Sequence, residues 1–126
     1  MDIIKIHTDK APRAIGPYSQ AKSFGDLVFT SGQIPLDPET GLVFGEDIRS
    51  QADMACKNLS EVLLAAGSSL DRVVKTTCFL HDMKDFAEFN EVYSRYFNTA
   101  PARSCVAVRE LPKGVLVEIE AIAVKG

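Results

Sequence analysis

Arg103 and Glu118 are the two residues whose types and spacing point most directly to chemistry. Arg103 lies in the run Pro101-Ala102-Arg103-Ser104-Cys105-Val106, which reads as the opening of a strand. Glu118 lies fifteen residues later inside an otherwise apolar strand, Val117-Glu118-Ile119-Glu120-Ala121. Charged groups are poor choices for covering a core. A fixed guanidinium grips a carboxylate through two parallel hydrogen bonds. A carboxylate on a half-buried strand holds a water or moves a proton. The pair implies a site where a small carboxylate-bearing molecule meets water.

Each residue also has a plainer role to weigh. Most arginines are solvated surface groups. Strand alternation, however, puts Arg103 and Cys105 on one face beside the apolar Ala107. A buried or interface arginine there needs an anion. Glu118 and Glu120 share their face with Leu116 and Ile122, which weakens the reading as a solvated edge; one of the two is expected at a rim, and the sequence does not single it out. The spacing alone leaves both glutamates open as the acid. Cys105 beside an arginine suggests a nucleophile, but that chemistry needs a histidine base. The only histidines, His7 and His81, lie far along the chain, so an inert small thiol is the preferred reading.

Two further segments stand out, Gly16-Pro17-Tyr18-Ser19-Gln20 and Thr30-Ser31-Gly32-Gln33-Ile34-Pro35. Turn chemistry accounts for much of both. Tyr18 directly after Gly-Pro is rigidly placed, where its ring and hydroxyl can close a pocket. Gly32 in a strand signals close approach by a ligand or backbone. Asn90, on a helix that otherwise turns aromatics to the core, is either a satisfied polar group or a donor on a pocket wall. Histidine and cysteine motifs with metal-ligand spacing are absent, as are phosphate cradles and the hydrolase elbow. The expectation is a site that needs no cofactor and no metal.

The elements that must position these residues follow from periodicity. Ile3 to His7 reads as a short strand. Ser19 to Phe24 and Leu27 to Gln33 read as a hairpin across Gly25-Asp26. Leu42 to Phe44 is placed to pair back after a turn at Pro35, Pro38 and Gly41. From Asp47 to Ala66, apolar residues recur at helical spacing and Gly67 supplies the stop. Val73 to Leu80 is β-branched and apolar, hence a central strand. A second helix is expected from an Asp82 cap, with Phe86, Phe89, Tyr93 and Phe97 on its buried face. Arg103 to Arg109 and Val115 to Val124 are the last strands. The order predicts an α+β domain with two helices on one face of a mixed sheet.

The last strand also predicts assembly. Val115, Val117, Ile119, Ala121 and Ala123 point one way; Leu116, Glu118, Glu120, Ile122 and Val124 point the other. Both faces are substantially apolar, yet two helices cover only one. A second copy of the chain is the simplest cover, with Glu118 near the contact.

Length and composition set the outer limits. The 126 residues fit one domain spanning 1–126. A 25% charged and 46% apolar composition is ordinary for a globular chain. A net charge of −3 with scattered bases disfavours a nucleic-acid partner. Three widely spaced cysteines form no disulfide framework and predict a reducing, cytoplasmic setting. Neither a targeting segment nor an apolar run long enough to span a membrane is visible.

Across nearly its whole length the sequence resembles the RidA/YjgF family of reactive-imine deaminases, the 2-iminobutanoate/2-iminopropanoate deaminases. The resemblance rests on Ala14 to Ala21, Thr30 to Pro35, Val74 to Thr77, Phe89-Asn90, Pro101 to Val106 and Val117 to Ala121. It implies a chorismate-mutase-like fold in a homotrimer, with active sites between subunits. The implied substrates are enamines and imines released by pyridoxal-phosphate dehydratases, which water converts to 2-oxo acids and ammonia. The family's carboxylate-binding arginine falls on Arg103, and its water-activating acid on Glu118 rather than Glu120. Tyr18, Ser31, Gly32, Asn90 and Cys105 fall on pocket-lining positions, with Gly32 and Cys105 contributing backbone groups. The alternative is a trimeric module that binds 2-oxo acids without turnover.

Overall fold

The computed structural model describes residues 1–126. Strands β1 (Ile3–Ile6), β2 (Ala21–Phe24) and β3 (Leu27–Thr30) come first, followed by helix α1 (Ile48–Ala65) and strand β4 (Val73–Leu80). Helix α2 (Phe86–Tyr96) and strands β5 (Ala102–Ala107) and β6 (Val117–Val124) complete the chain. They form one six-stranded sheet in the order β1-β2-β3-β6-β4-β5. Only β4 and β5 run parallel; the other neighbours are antiparallel. The mixed α+β domain and its helices match the expectation.

Helix α1 begins where Asp47 accepts a hydrogen bond from the Ser50 N–H at 2.9 Å, satisfying one of the free donors of the first turn. It ends as Gly67 takes a φ of +81°, which costs a glycine little. Its apolar stripe, with Ala52, Ala55, Leu59, Val62 and Leu63 fully buried, lies on the sheet. Two buried amides then tie loops to this scaffold. Gln51 accepts from the Leu116 N–H at 2.7 Å. Asn58 donates to the carbonyls of Ile34 and Leu36 at 3.1 and 2.9 Å.

Several details differ from the expectation. Asp82 caps a short 3-10 turn, Met83–Asp85, by accepting from the Lys84 N–H at 2.8 Å. The α-helix proper starts only at Phe86, because the aspartate is satisfied two residues on, as in an Asx turn. On α2, Phe89, Tyr93 and Phe97 are buried while Phe86 is only partly so. The last two strands do not pair with each other, since β4 lies between them. The expected return of residues 42–44 is a single bridge, Leu36 to Val43.

The two faces of β6 behave as its alternation demands. Val117, Ile119, Ala121 and Ala123 are buried under the helices. Glu118, Glu120, Ile122 and Val124 are half-buried on the opposite face. That uncovered face also carries Leu27 and Phe29, paired with Val124 and Ile122 across the ladder. Both are about two-fifths exposed. No helix is long and apolar enough to cross a membrane.

Candidate active site

Gly32 and Glu118 meet at a bulge between β3 and β6. Phe29 pairs with Ile122, but Gln33 pairs with Ile119. Four steps along one strand therefore face three along the other, the signature of one inserted residue. The Ala121 N–H left over at the bulge is taken by the Thr30 hydroxyl at 3.0 Å. Gln33 and Ile119 then exchange two backbone bonds, 2.8 and 3.0 Å. Gly32 is thereby pressed against Glu118: a Cβ built on it would stand 2.7 Å from the glutamate Cδ and 2.8 Å from Cγ. The close approach expected at Gly32 is real, and it is made by a side chain rather than by a ligand or backbone.

Glu118 opens into a cavity of about 640 Å³ that Tyr18, Ser31 and Gly32 also line. The loop carrying Tyr18 is held from beneath by the buried Gln20. Its amide donates to the carbonyls of Thr8 and Pro12 at 3.0 and 2.8 Å, and its oxygen accepts from the Thr8 N–H at 2.8 Å. The Ser31 hydroxyl is committed to the Ser19 carbonyl at 2.6 Å, so it faces the cavity as an acceptor. Burial pushes the Glu118 carboxyl above the usual carboxylate range, and repulsion from Glu120 adds to the shift. Sequence reasoning missed Arg13 and Lys113, which also line this cavity. Their signal is their position inside turn segments, Pro12-Arg13-Ala14 and Pro112-Lys113-Gly114.

Arg103 belongs to a different cavity, of about 490 Å³, with Asn90 and Tyr93. Its Nη1 donates to the Asn90 Oδ1 at 2.7 Å. Its guanidinium carbon lies 4.8 Å from the Tyr93 ring centroid and 5.5 Å from that of Phe86, both within cation–π range. Tyr93 is in turn fixed by a 2.7 Å hydrogen bond between its hydroxyl and that of Thr76. None of the chain's ion pairs includes Arg103. The result is an oriented guanidinium with no carboxylate partner in its own chain. Asn90, open between two roles in the sequence, is the residue that holds it.

Cys105 lines neither cavity. It pairs across the parallel ladder with Cys78, which burial pushes up to about 12. Burial also raises the Cys105 thiol, against the pull of Arg103. Strand β5 is the sheet edge, so one side of its backbone has no partner strand within the chain.

The structure thus gathers Tyr18, Ser31, Gly32 and Glu118 in one place and Asn90 with Arg103 in another. It does not bring Arg103 to Glu118. Arg103 is paired with Thr76, whose side chain is buried beneath the helices. Glu118 is paired with Phe79, three positions further along β4 and so on the opposite face. Within one chain the two residues open on opposite sides of the sheet.

The family-model comparison covers residues 8–125, and the matching family is described as Endoribonuclease L-PSP. A RutC family protein of Pyrococcus abyssi is 53% identical over 121 residues, 95% of each chain. A 2-iminobutanoate/2-iminopropanoate deaminase of Salmonella typhimurium is 50% identical over 124 residues, covering 95% of this chain and 96% of the relative. The crystal structure of Escherichia coli TdcF with bound serine superposes with a TM-score of 0.93 at 46% identity, covering 98% of this chain and 99% of that one. A mixed α+β domain with two helices on one face of a six-stranded sheet defines the class. The chain belongs to the L-PSP family, which includes the RidA, YjgF and RutC proteins, and its relatives include reactive-intermediate deaminases.

Proposed function

We propose that this protein hydrolyses 2-imino acids and their enamine tautomers, such as 2-iminopropanoate and 2-iminobutanoate, to 2-oxo acids and ammonia. The sites are clefts between subunits of a homotrimer with a chorismate-mutase-like arrangement. One observation carries the reading. A fixed, unpaired guanidinium and a half-buried carboxyl of raised pKa open on opposite faces of one sheet. Closed rotational assembly sets one face of a chain against another part of its neighbour, which would put Arg103 of one copy beside the Glu118 cavity of the next. The apolar face around Phe29 and Ile122 gives such a contact its driving force.

The chemistry follows from the groups. Arg103 binds the substrate carboxylate with its fork, and Asn90 keeps that fork oriented. A water held by Glu118 attacks C2, forming a C–O bond as the C=N electrons move to nitrogen. Glu118 accepts the water's proton and returns it to the nitrogen. The hydroxyl of this adduct then gives its proton to Glu118 as the carbonyl forms and the C–N bond breaks, and Glu118 passes that proton to the departing ammonia, which leaves as ammonium. A carboxyl with a raised pKa suits both halves of this transfer better than an ordinary one. Hydrolysis of a protonated imine asks for positioning and proton transfer. A ribonuclease reading, suggested by the family description, finds no histidine on the wall of the Glu118 cavity.

The test is ammonia or 2-oxo acid release from enzymatically generated 2-aminoacrylate, with sedimentation in parallel. The expected mass is three times the 13.8 kDa chain. Arg103→Ala should keep that mass and lose the activity, and Arg103→Lys should restore little of it. Tight 2-oxobutanoate binding without turnover would support the binding-module alternative instead. An active monomer would refute the shared cleft.

A further inference from the structure

The cavity beside Glu118 contains two cations that hydrolysis of a small imine leaves unused. Arg13 and Lys113 both line it, and Glu118 is the sole acid on its wall. Neither base belongs to an ion pair. The pairs in the chain join His7 to Asp9, Arg49 to Glu88 and Glu91, and Lys57 to Asp53. The wall therefore carries an excess of positive charge in a chain whose net charge is −3.

Fixed backbone delivers both bases. The carbonyl of Pro12, directly before Arg13, is held by the Gln20 amide at 2.8 Å. Lys113 occupies the left-handed region, φ +56°, between Pro112 and Gly114. A residue with a side chain pays for that conformation, so the turn is specified. The Lys113 ammonium makes only a 3.5 Å contact with the Gly41 carbonyl, which a better acceptor would replace.

Size points the same way. Cavities of roughly 300–1,000 Å³ accommodate drug-sized ligands. In a single chain this one measures about 640 Å³, more than a three-carbon acid fills, before a neighbouring copy closes over it. In the proposed reaction the substrate's own carboxylate goes to Arg103 of a second copy. The two bases are then left for whatever lies at the far end of the substrate.

We propose that Arg13 and Lys113 form a distal anion site, and that the chain accepts 2-imino acids whose side chain ends in a second carboxylate. The inference rests on the imine-hydrolysis reading above. Arg13 offers a fork and Lys113 a point charge, a combination suited to one carboxylate.

The experiment compares 2-iminosuccinate with 2-iminobutanoate, each generated in place by a flavin oxidase from the matching amino acid. Imine decay is followed with wild-type protein, the Arg13→Ala/Lys113→Ala double variant and Arg103→Ala. The wild type should hydrolyse both imines. In the double variant the ratio of kcat/KM for the dicarboxylate over the monocarboxylate should fall about 100-fold, roughly tenfold per charged hydrogen bond lost. The loss should fall mainly on KM. Arg103→Ala should remove both activities. An unchanged ratio, or a wild type that rejects 2-iminosuccinate, overturns the distal site while leaving imine hydrolysis standing. If the wild type hydrolyses neither imine, the reaction fails and calorimetry decides the site. Tighter binding of 2-oxoglutarate than of 2-oxobutanoate, lost in the double variant, upholds it; equal affinities reject it.

Discussion

Replacing Gly32 by alanine separates positioning of the acid from stability of the fold. The Gly32 backbone is outside the positive-φ region, so alanine fits it without strain. Its methyl, however, meets the Glu118 Cδ at 2.7 Å where ordinary contact begins at 3.4 Å. The carboxyl carbon must retreat by about 0.7 Å, and the oxygen nearest Gly32 by more. The obstacle is the end of a flexible side chain, so the stability cost is that of another rotamer, about 1 kcal/mol. The gain from replacing a flexible glycine is of similar size, about 0.4–1 kcal/mol. The net change in unfolding free energy should lie near zero. Activity should respond differently, because misplacing a reacting group by about 1 Å costs on the order of 100-fold. Urea unfolding and kcat/KM on dehydratase-generated 2-iminobutanoate read the two effects separately. A Gly32→Ala protein within threefold of wild-type activity would refute the idea that this contact aims Glu118. A variant that unfolds would refute the claim that the side chain can yield.

Four further outcomes are expected. Asn90→Ala leaves the Arg103 guanidinium on its aromatic rings but without its 2.7 Å partner; 2-oxobutanoate should bind about tenfold more weakly, measured by calorimetry. If Glu118 is the base, kcat/KM should fall on the acid side with a midpoint above that of an unperturbed glutamate, and Glu120→Gln should move it down by removing the repulsion. Because the folded state raises this pKa, the associated stability is present below the unfolded value and is lost as pH rises through the folded one. Glu118→Gln should accordingly melt higher than wild type at neutral pH, with the advantage vanishing below about pH 4. Asn58→Ala strands the Leu36 carbonyl and leaves that of Ile34 only its bond from the Leu36 N–H; urea unfolding should show a loss of about 1–3 kcal/mol.

How far the sequence could be read depended on how local the cause was. Helix α1 was legible because its stripe, its Asp47 cap and its Gly67 stop all lie within one stretch of chain. The start of α2 was displaced because Asp82 had a nearer donor, the Lys84 N–H, than the helix expected of it. Strands were visible from alternation, but their neighbours were not. The insertion of β6 between β3 and β4 joins segments far apart in the chain, and no local pattern records it. Tyr18, Ser31, Gly32 and Glu118 are each legible in the sequence as site residues, but their meeting place is not. The meaning of Gly32 was hidden, since the group pressing on it comes from another strand. Asn90 stays open in the sequence between a satisfied helix amide and a pocket-wall donor, because its partner, Arg103, follows only after the helix ends. Arg13 and Lys113 carry no such signal, because they read as ordinary exposed bases in turns.

The three thiols carry a consequence for durability. Cys78 sits in the core beside Cys105 on the ladder, and Cys56 is buried on α1. Burial holds all three above the usual thiol range. The thiolate is the form that attacks electrophiles, and little of it exists here at neutral pH. The imine tautomer of an enamine such as 2-aminoacrylate is an electrophile at C2, where a thiolate adds in competition with water. Two residues along the edge strand from the proposed substrate anchor, a protonated Cys105 offers that electrophile a poor nucleophile. The same packing that fills the space between sheet and helices thus spares the protein thiol adducts with the compound it is proposed to destroy.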